Sequence, residues 1–213
     1  TRTAATGFRI DGERVTGVET PEGIIETRYV VNAAGPYLHD VGKLAGLDIP
    51  AKPYRRMLFI TEKFSLSPGR IPLTIDMANG FYFREEGEGL MIGRADPDEP
   101  PSFDCTLDWE YLPKILEYAL HRIPTVENAQ IGKGWAGLYD ITPDHHPLLG
   151  PYPQLSNFIL AGGFSGHGIM HGPAVGLLIA EMIVDGRAST VDIDALSPTR
   201  VEAGKLLIEK NVI

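Results

Sequence analysis

The sequence predicts an α/β fold with an antiparallel segment set into its middle. Three observations carry this reading. A buried-strand run, Asn157 to Ala161, passes without pause into Gly162-Gly163-Phe164-Ser165-Gly166-His167-Gly168 and then an apolar helix ending near Asp185. A second run, Tyr29-Val30-Val31-Asn32-Ala33, is apolar on both faces, stops at Ala34-Gly35-Pro36 and also leads into a helical stripe. Between them, from about Ile49 to Ile131, the texture changes to hairpins and proline-bounded loops. The 24 glycines and 17 prolines are spread through turns rather than gathered in tracts, as in a fold whose backbone closely approaches a ligand.

Taken in order, Gly7–Ile10, Arg14–Thr20 and Ile24–Tyr29 form an antiparallel meander turning at Asp11-Gly12 and Pro21-Glu22-Gly23. After the 29–33 strand, Pro36 suits a first helical turn, Leu38, Val41, Leu44 and Ala45 give the stripe, and Gly46 ends it. In the middle, Arg56–Thr61 is a strand, and Gly80–Arg84 and Gly89–Gly93 form a hairpin with Glu85, Glu86 and Glu88 at a solvated tip. Helical spacing runs over 106–123, with Pro113 implying a kink or two short helices and Asp104, Asp108 and Glu110 at the helix start. Gly132–Tyr139 and Leu148–Gly150 are extended, and Gly186 caps the last helix. The segments divide as 1–48, 49–131 and 132–213.

Composition removes several function classes. A net charge of −9 offers no basic footprint for nucleic acid and no polybasic membrane patch. The most apolar stretch, Ala174–Val184, is interrupted by Gly176 and Glu181, so no membrane span is expected. A single cysteine, Cys105, excludes an internal disulfide and points to a reducing, cytoplasmic setting. The start, Thr-Arg-Thr-Ala, enters strand-like sequence at once and reads as a cut through a larger protein.

The strand, glycine turn and helix at 158–184 carry the chemistry. Glycines at 162, 163, 166 and 168 clear side chains from a bend, and the helix start presents free N–H groups and a positive dipole end to an anion or an atom that becomes negative. A turn that only packs a helix on a sheet is the alternative. The spacing matches neither Gly-x-Gly-x-x-Gly with its ribose-binding acid nor a P-loop, and the Gly-x-Ser-x-Gly elbow of hydrolases is missing. His145 and His146 point to opposite faces of an extended chain, and His167 and His171 lack a third ligand, so no metal site is expected. His167 occupies a glycine turn where a bulky ring needs a reason, and an imidazole can handle protons near neutrality. Trp109, Trp135, Met91 and Met170 read as packing or pocket lining.

Gly134-Trp135-Ala136-Gly137-Leu138-Tyr139-x-x-Thr142-Pro143-Asp144-x-x-Pro147-x-x-Gly150, followed by Ala161-Gly162-Gly163-Phe164-Ser165-Gly166-His167-Gly168-Ile169-Met170, resembles the C-terminal portion of the D-amino-acid oxidase-like FAD-dependent oxidoreductases, within them the sarcosine oxidase β-subunit, dimethylglycine dehydrogenase and archaeal proline dehydrogenase branch. Val30-Val31-Asn32-Ala33-Ala34-Gly35-Pro36 is similar to that family's crossing toward its substrate domain.

The resemblance implies a partial doubly wound FAD-binding domain at both ends and an inserted antiparallel-sheet substrate domain. It implies oxidation of a secondary or tertiary amine or imino acid, such as sarcosine, dimethylglycine or proline, by hydride transfer to flavin N5. The cofactor-binding residues it implies are Ala34, Gly35, Gly137, Leu138, Gly163, Phe164, Ser165, Gly166, His167, Gly168, Ile169 and Met170. His167, Tyr139 and Tyr82 would face the substrate. FAD would be non-covalent, because Gly137 stands where some relatives attach it through cysteine. It would bind weakly or be absent without the family's N-terminal half, which is the first implied partner. Further implied partners are the amine and an electron-acceptor protein or quinone; a homo-oligomer is left open. Met91 replaces the lysine of oxygen-reactive relatives, which favours a dehydrogenase. Tyr139 replaces a substrate-binding arginine, with Arg56 and Arg94 as substitutes. The alternative within the family is a non-catalytic flavoprotein assembly or scaffold factor.

Overall fold

The computed structural model describes residues 1–64 and 71–207, which fall into two compact units: residues 1–53 with 139–207, and residues 54–138. The first unit begins with the expected meander. Strands β1 (Gly7–Asp11), β2 (Arg14–Thr20) and β3 (Gly23–Glu26) pair antiparallel in order, with a register shift at Arg9/Ile10. Next come β4 (Val30–Asn32), a 3₁₀ turn (Gly35–Tyr37) and α1 (Leu38–Leu44), which ends at Gly46 in the left-handed region (φ 73°).

The chain passes through β5 (Lys52–Thr61) into the second unit and leaves it along β9 (Ile131–Ile141). The first unit is then completed by β10 (Leu148–Tyr152), β11 (Leu155–Gly162) and α3 (Gly168–Asp185), while α2 (Leu112–Arg122) belongs to the second unit. Gly186 ends α3 with φ 79°, as expected for a C′ glycine. A 3₁₀ turn (Asp194–Leu196) and α4 (Thr199–Glu202), neither anticipated from the sequence, follow.

The sheet order β10-β11-β4 combines an antiparallel pair with a parallel one: Phe158, Ile159 and Leu160 align with Val30, Val31 and Asn32. Alternation along β11 gives it two faces. Phe158 and Leu160 join Val15, Leu38, Ile49 and Leu148 in one core, where Phe8 meets Phe158 edge-on at 5.4 Å. Ile159 and Ala161 join Leu149 and Ile179 of α3 in another, so the sheet is a middle layer covered on both sides. Val31 is 40% exposed, against the expectation of a strand buried on both faces; β4 is the last strand of its sheet among the described residues.

Helix α3 is, by length and composition, able to cross a membrane (18 residues, mean hydropathy 1.3, 17% buried). Its inner side, with Leu178 and Ile179 buried, packs on the sheet as in a layered α/β protein.

The second unit holds the sheet β6-β7-β8-β5-β9, with β6 (Thr74–Asp76), β7 (Phe81–Glu86) and β8 (Gly89–Gly93), and α2 (Leu112–Arg122). Phe59, Phe81, Leu90 and Ile92 pack against Ile115 and Ala119 of α2.

Pro113 lies in the first turn of α2, so there is neither a kink nor a second helix before it: a ring there sacrifices only an amide that a helix start leaves unpaired. The 104–110 acids turn the loop instead, with Thr106 N–H donating to Asp104 at 2.7 Å and Glu110 N–H to Asp108 at 2.8 Å. Glu85 and Glu86 extend β7, and Arg84 pairs with Glu86 at 2.6 Å. Trp109 is half exposed and packs its ring on the buried Phe59 at 5.4 Å, as expected of a packing residue, and Trp135 is about half exposed.

The meander is tied to β11 by Asn157, which is fully buried: its Oδ1 accepts the Val15 N–H at 2.8 Å and its Nδ2 donates to Val15 O and Arg28 O at 2.7 Å each. Replacing Asn157 with leucine strands three backbone groups, and we expect a loss of about 2–4 kcal/mol in urea unfolding. An unchanged midpoint would show that the stitch contributes nothing.

Candidate cofactor site

Parallel pairing of β4 with β11 brings the carboxyl ends of both strands to one end of the sheet, the position where open α/β sheets hold ligands. Both strands open there into glycine turns. After β4, Asn32 is buried and donates to Leu38 O at 2.9 Å, which fixes the start of α1, and Ala34 N–H donates back to Asn32 Oδ1 at 3.3 Å. Gly35 has φ 54° with open space where a Cβ would stand.

After β11 the chain turns through three residues with positive φ: Gly163 (78°), Ser165 (50°) and Gly166 (96°). Ser165 is the only one with a side chain, and it is buried. A left-handed serine is strained, so the surroundings must hold it. Asp140, at the end of β9, does so twice: its Oδ2 accepts the Gly163 N–H at 2.6 Å and its backbone carbonyl accepts the Ser165 N–H at 3.1 Å. Thr142 packs its methyl where a Gly163 Cβ would be, and the Tyr139 ring fills the place of a Gly166 Cβ. Neither position tolerates a larger residue without displacement. His167 N–H bonds Phe164 O at 2.9 Å, and α3 begins with no side chain capping it. Its first-turn amides therefore precede any intrahelical acceptor and carry the positive end of the helix dipole.

Of the residues expected at the site, Tyr139 and 163–170 come together in this loop, and Ala34 and Gly35 stand at the neighbouring strand end. Ile169 (94% exposed) and Met170 (64%) stand open at the helix start. The His167 ring stacks on His171 at 5.9 Å. Gly137 and Leu138 lie on β9, immediately before Tyr139. Tyr82 belongs to the second unit, where it covers Gly93. Arg94 donates within that unit to Asn79 O, Ala95 O and the Tyr111 hydroxyl and lies 4.4 Å over the Tyr118 ring. Among the described residues no three His, Cys, Asp or Glu gather for a metal.

Sequence reasoning missed Asp140 altogether, and it quotes Thr142 in the family motif without giving it a role. Uncapped amides beside a glycine bend, with a second glycine turn on the adjoining strand, fit an extended cofactor carrying anionic groups.

Burial pushes the Asp140 carboxyl above its ordinary value, and the loop amides offset this in part. A raised folded-state value means the folded protein holds the proton more tightly, so this stabilising contribution is full below about pH 4 and fades as pH rises through the raised value. Asp140→Asn should flatten that slope in unfolding measured across mildly acidic pH; an unaltered slope would place the effect elsewhere. Gly166→Ala, forced to φ 96° against Tyr139, should lose about 1–3 kcal/mol in urea unfolding.

Three comparisons place this geometry. The chain is 34% identical over 207 residues to FAD-dependent oxidoreductase domain-containing protein 1 of Xenopus laevis, covering 89% of this chain and 41% of that protein. It is 35% identical over 183 residues to human mitochondrial sarcosine dehydrogenase, covering 82% and 20%. The structure superposes on L-proline dehydrogenase from P. horikoshii with a TM-score of 0.86 at 34% identity, covering 96% of this chain and 55% of that one. The chain thus spans about half or less of the length of these relatives. The sequence pattern of the FAD dependent oxidoreductase family matches residues 1–182, and with the loop geometry above the chain belongs to that family.

Proposed function

We propose that this chain supplies the flavin-ring side of an FAD site in an enzyme that oxidises a secondary or tertiary amine or imino acid, with sarcosine, dimethylglycine and proline as the substrate class. The observation that carries the reading is the uncapped start of α3 next to the strained 163–166 loop, at the shared carboxyl end of β4 and β11. The likeness to sarcosine dehydrogenase and to L-proline dehydrogenase supports the amine class.

The chemistry FAD supplies when bound is acceptance of a hydride from the carbon beside the amine nitrogen, which leaves an imine to be hydrolysed. The chain's own residues do the rest. Amides of the first turn of α3, already oriented, would hold the cofactor and supply donors to negative charge on it. His167, at the N-cap, handles a proton at the loop mouth. Tyr139 buttresses Gly166 and offers its hydroxyl to substrate. Met91, on β8, brings no positive charge, which favours transfer of electrons to a protein or quinone rather than to oxygen.

Anaerobic addition of sarcosine, dimethylglycine or proline to the full-length flavoprotein should bleach the flavin, and His167→Ala should slow bleaching by about 100-fold. An unchanged rate in that variant removes His167 from the mechanism. A second reading, a non-catalytic flavoprotein assembly factor, is favoured by Met91 and Tyr139 standing where lysine and arginine would support catalysis; flavin left unbleached by every amine selects it.

A further inference from the structure

The family pattern ends at residue 182, yet a side chain beyond it is among the most buried charges of the first unit. Arg200, on the four-residue helix α4, is 4% exposed, and its partner Asp144 is 3% exposed. The guanidinium forks onto the carboxylate, Nε to Oδ2 and Nη2 to Oδ1, each at 2.8 Å. Its remaining N–H groups reach the carbonyls of Pro147 (3.0 Å), Leu196 (2.9 Å) and His146 (2.8 Å). Asp144 also accepts the Leu207 N–H at 3.1 Å, the His146 N–H at 3.3 Å and the Thr142 hydroxyl at 3.2 Å. The 194–207 segment is thereby wrapped onto the 142–147 turn.

That turn is the back wall of the glycine loop. The Thr142 hydroxyl is held between Asp144 and His146 O, where it bonds at 2.7 Å, and this orients the Thr142 methyl against Gly163. From these contacts we infer that Arg200 is a positioning residue, acting through Asp144 and Thr142 to set the conformation of the 163–166 loop, and that the 194–207 segment is a clasp on the cofactor site. The flavin reading enters only in naming what the loop holds; the mechanical coupling stands without it. A buried pair with one partner removed leaves an uncompensated charge, so the coupling is strong.

Hydrogen–deuterium exchange of the full-length protein tests this, with peptides over 160–170 as the readout and peptides over 14–20 and 81–93 as references. Arg200→Ala should speed exchange in 160–170 by about tenfold or more while both references keep wild-type rates. Arg200→Lys keeps a cation but loses the fork, so it should speed the loop by a smaller factor; it serves alone if Arg200→Ala does not fold. FAD binding should weaken in the same order. Wild-type exchange over 160–170 in the folded variants overturns the inference, and so does equal acceleration of the loop and the 14–20 reference, which would make Arg200 a general stabiliser. Amine bleaching, measured on the wild type, decides the proposed function separately: its absence leaves the exchange result standing, and its presence does not rescue an unresponsive loop.

Discussion

Three residues of parallel pairing, Val30–Asn32 against Phe158–Leu160, determine what the rest of the first unit can do. Parallel strands cannot be joined by a tight turn, so everything between them must leave and return. Here the excursion includes an entire antiparallel unit, entered on β5 and left on β9. Because both paired strands run the same way, their glycine turns emerge side by side. An antiparallel pairing of the same segments would send the two turns to opposite ends of the sheet, and no shared site could form.

The loop at that end is expensive in conformation. A buried left-handed serine lies between two glycines with positive φ, next to a helix start without a side-chain cap. Such a segment persists only when its environment over-determines it. Asp140 fixes it from β9 through a side-chain and a main-chain acceptor, and Thr142 and Tyr139 fill the space behind it. Asp140 and Asp144 lie four residues apart and are tuned in opposite directions. Burial raises the first; for the second, burial alone would also raise it, but Arg200 and the Leu207 and His146 amides pull it well below the ordinary carboxylate range.

Much of this was legible from residues alone. Period-2 alternation and turn pairs located the meander and the 81–93 hairpin, and glycine at 46 and 186 located two helix ends, because each depends on local backbone preference. The loop was legible as an ordered motif. What escaped depends on distant partners. Pro113 reads the same whether it kinks a helix or starts one, and only the loop turns built on Asp104 and Asp108 decide for the second. The half-exposure of Trp135 on β9 and of Trp109 in the loop before α2 depends on what packs around each, which no short window contains. Arg200 was invisible because its carboxylate lies far away along the chain, and a lone arginine in a polar tail carries no periodic signal.

Helix α3 is more apolar than α2 and much of it stands uncovered. Ile169, Leu177 and Val184 stand at least half exposed along it, and nothing lies within 4 Å of where a Cβ on Gly172 or Gly176 would be. Contiguous oily surface of this kind drives self-association in water. The exposed side of this helix is therefore an apolar surface of the first unit that self-association would cover.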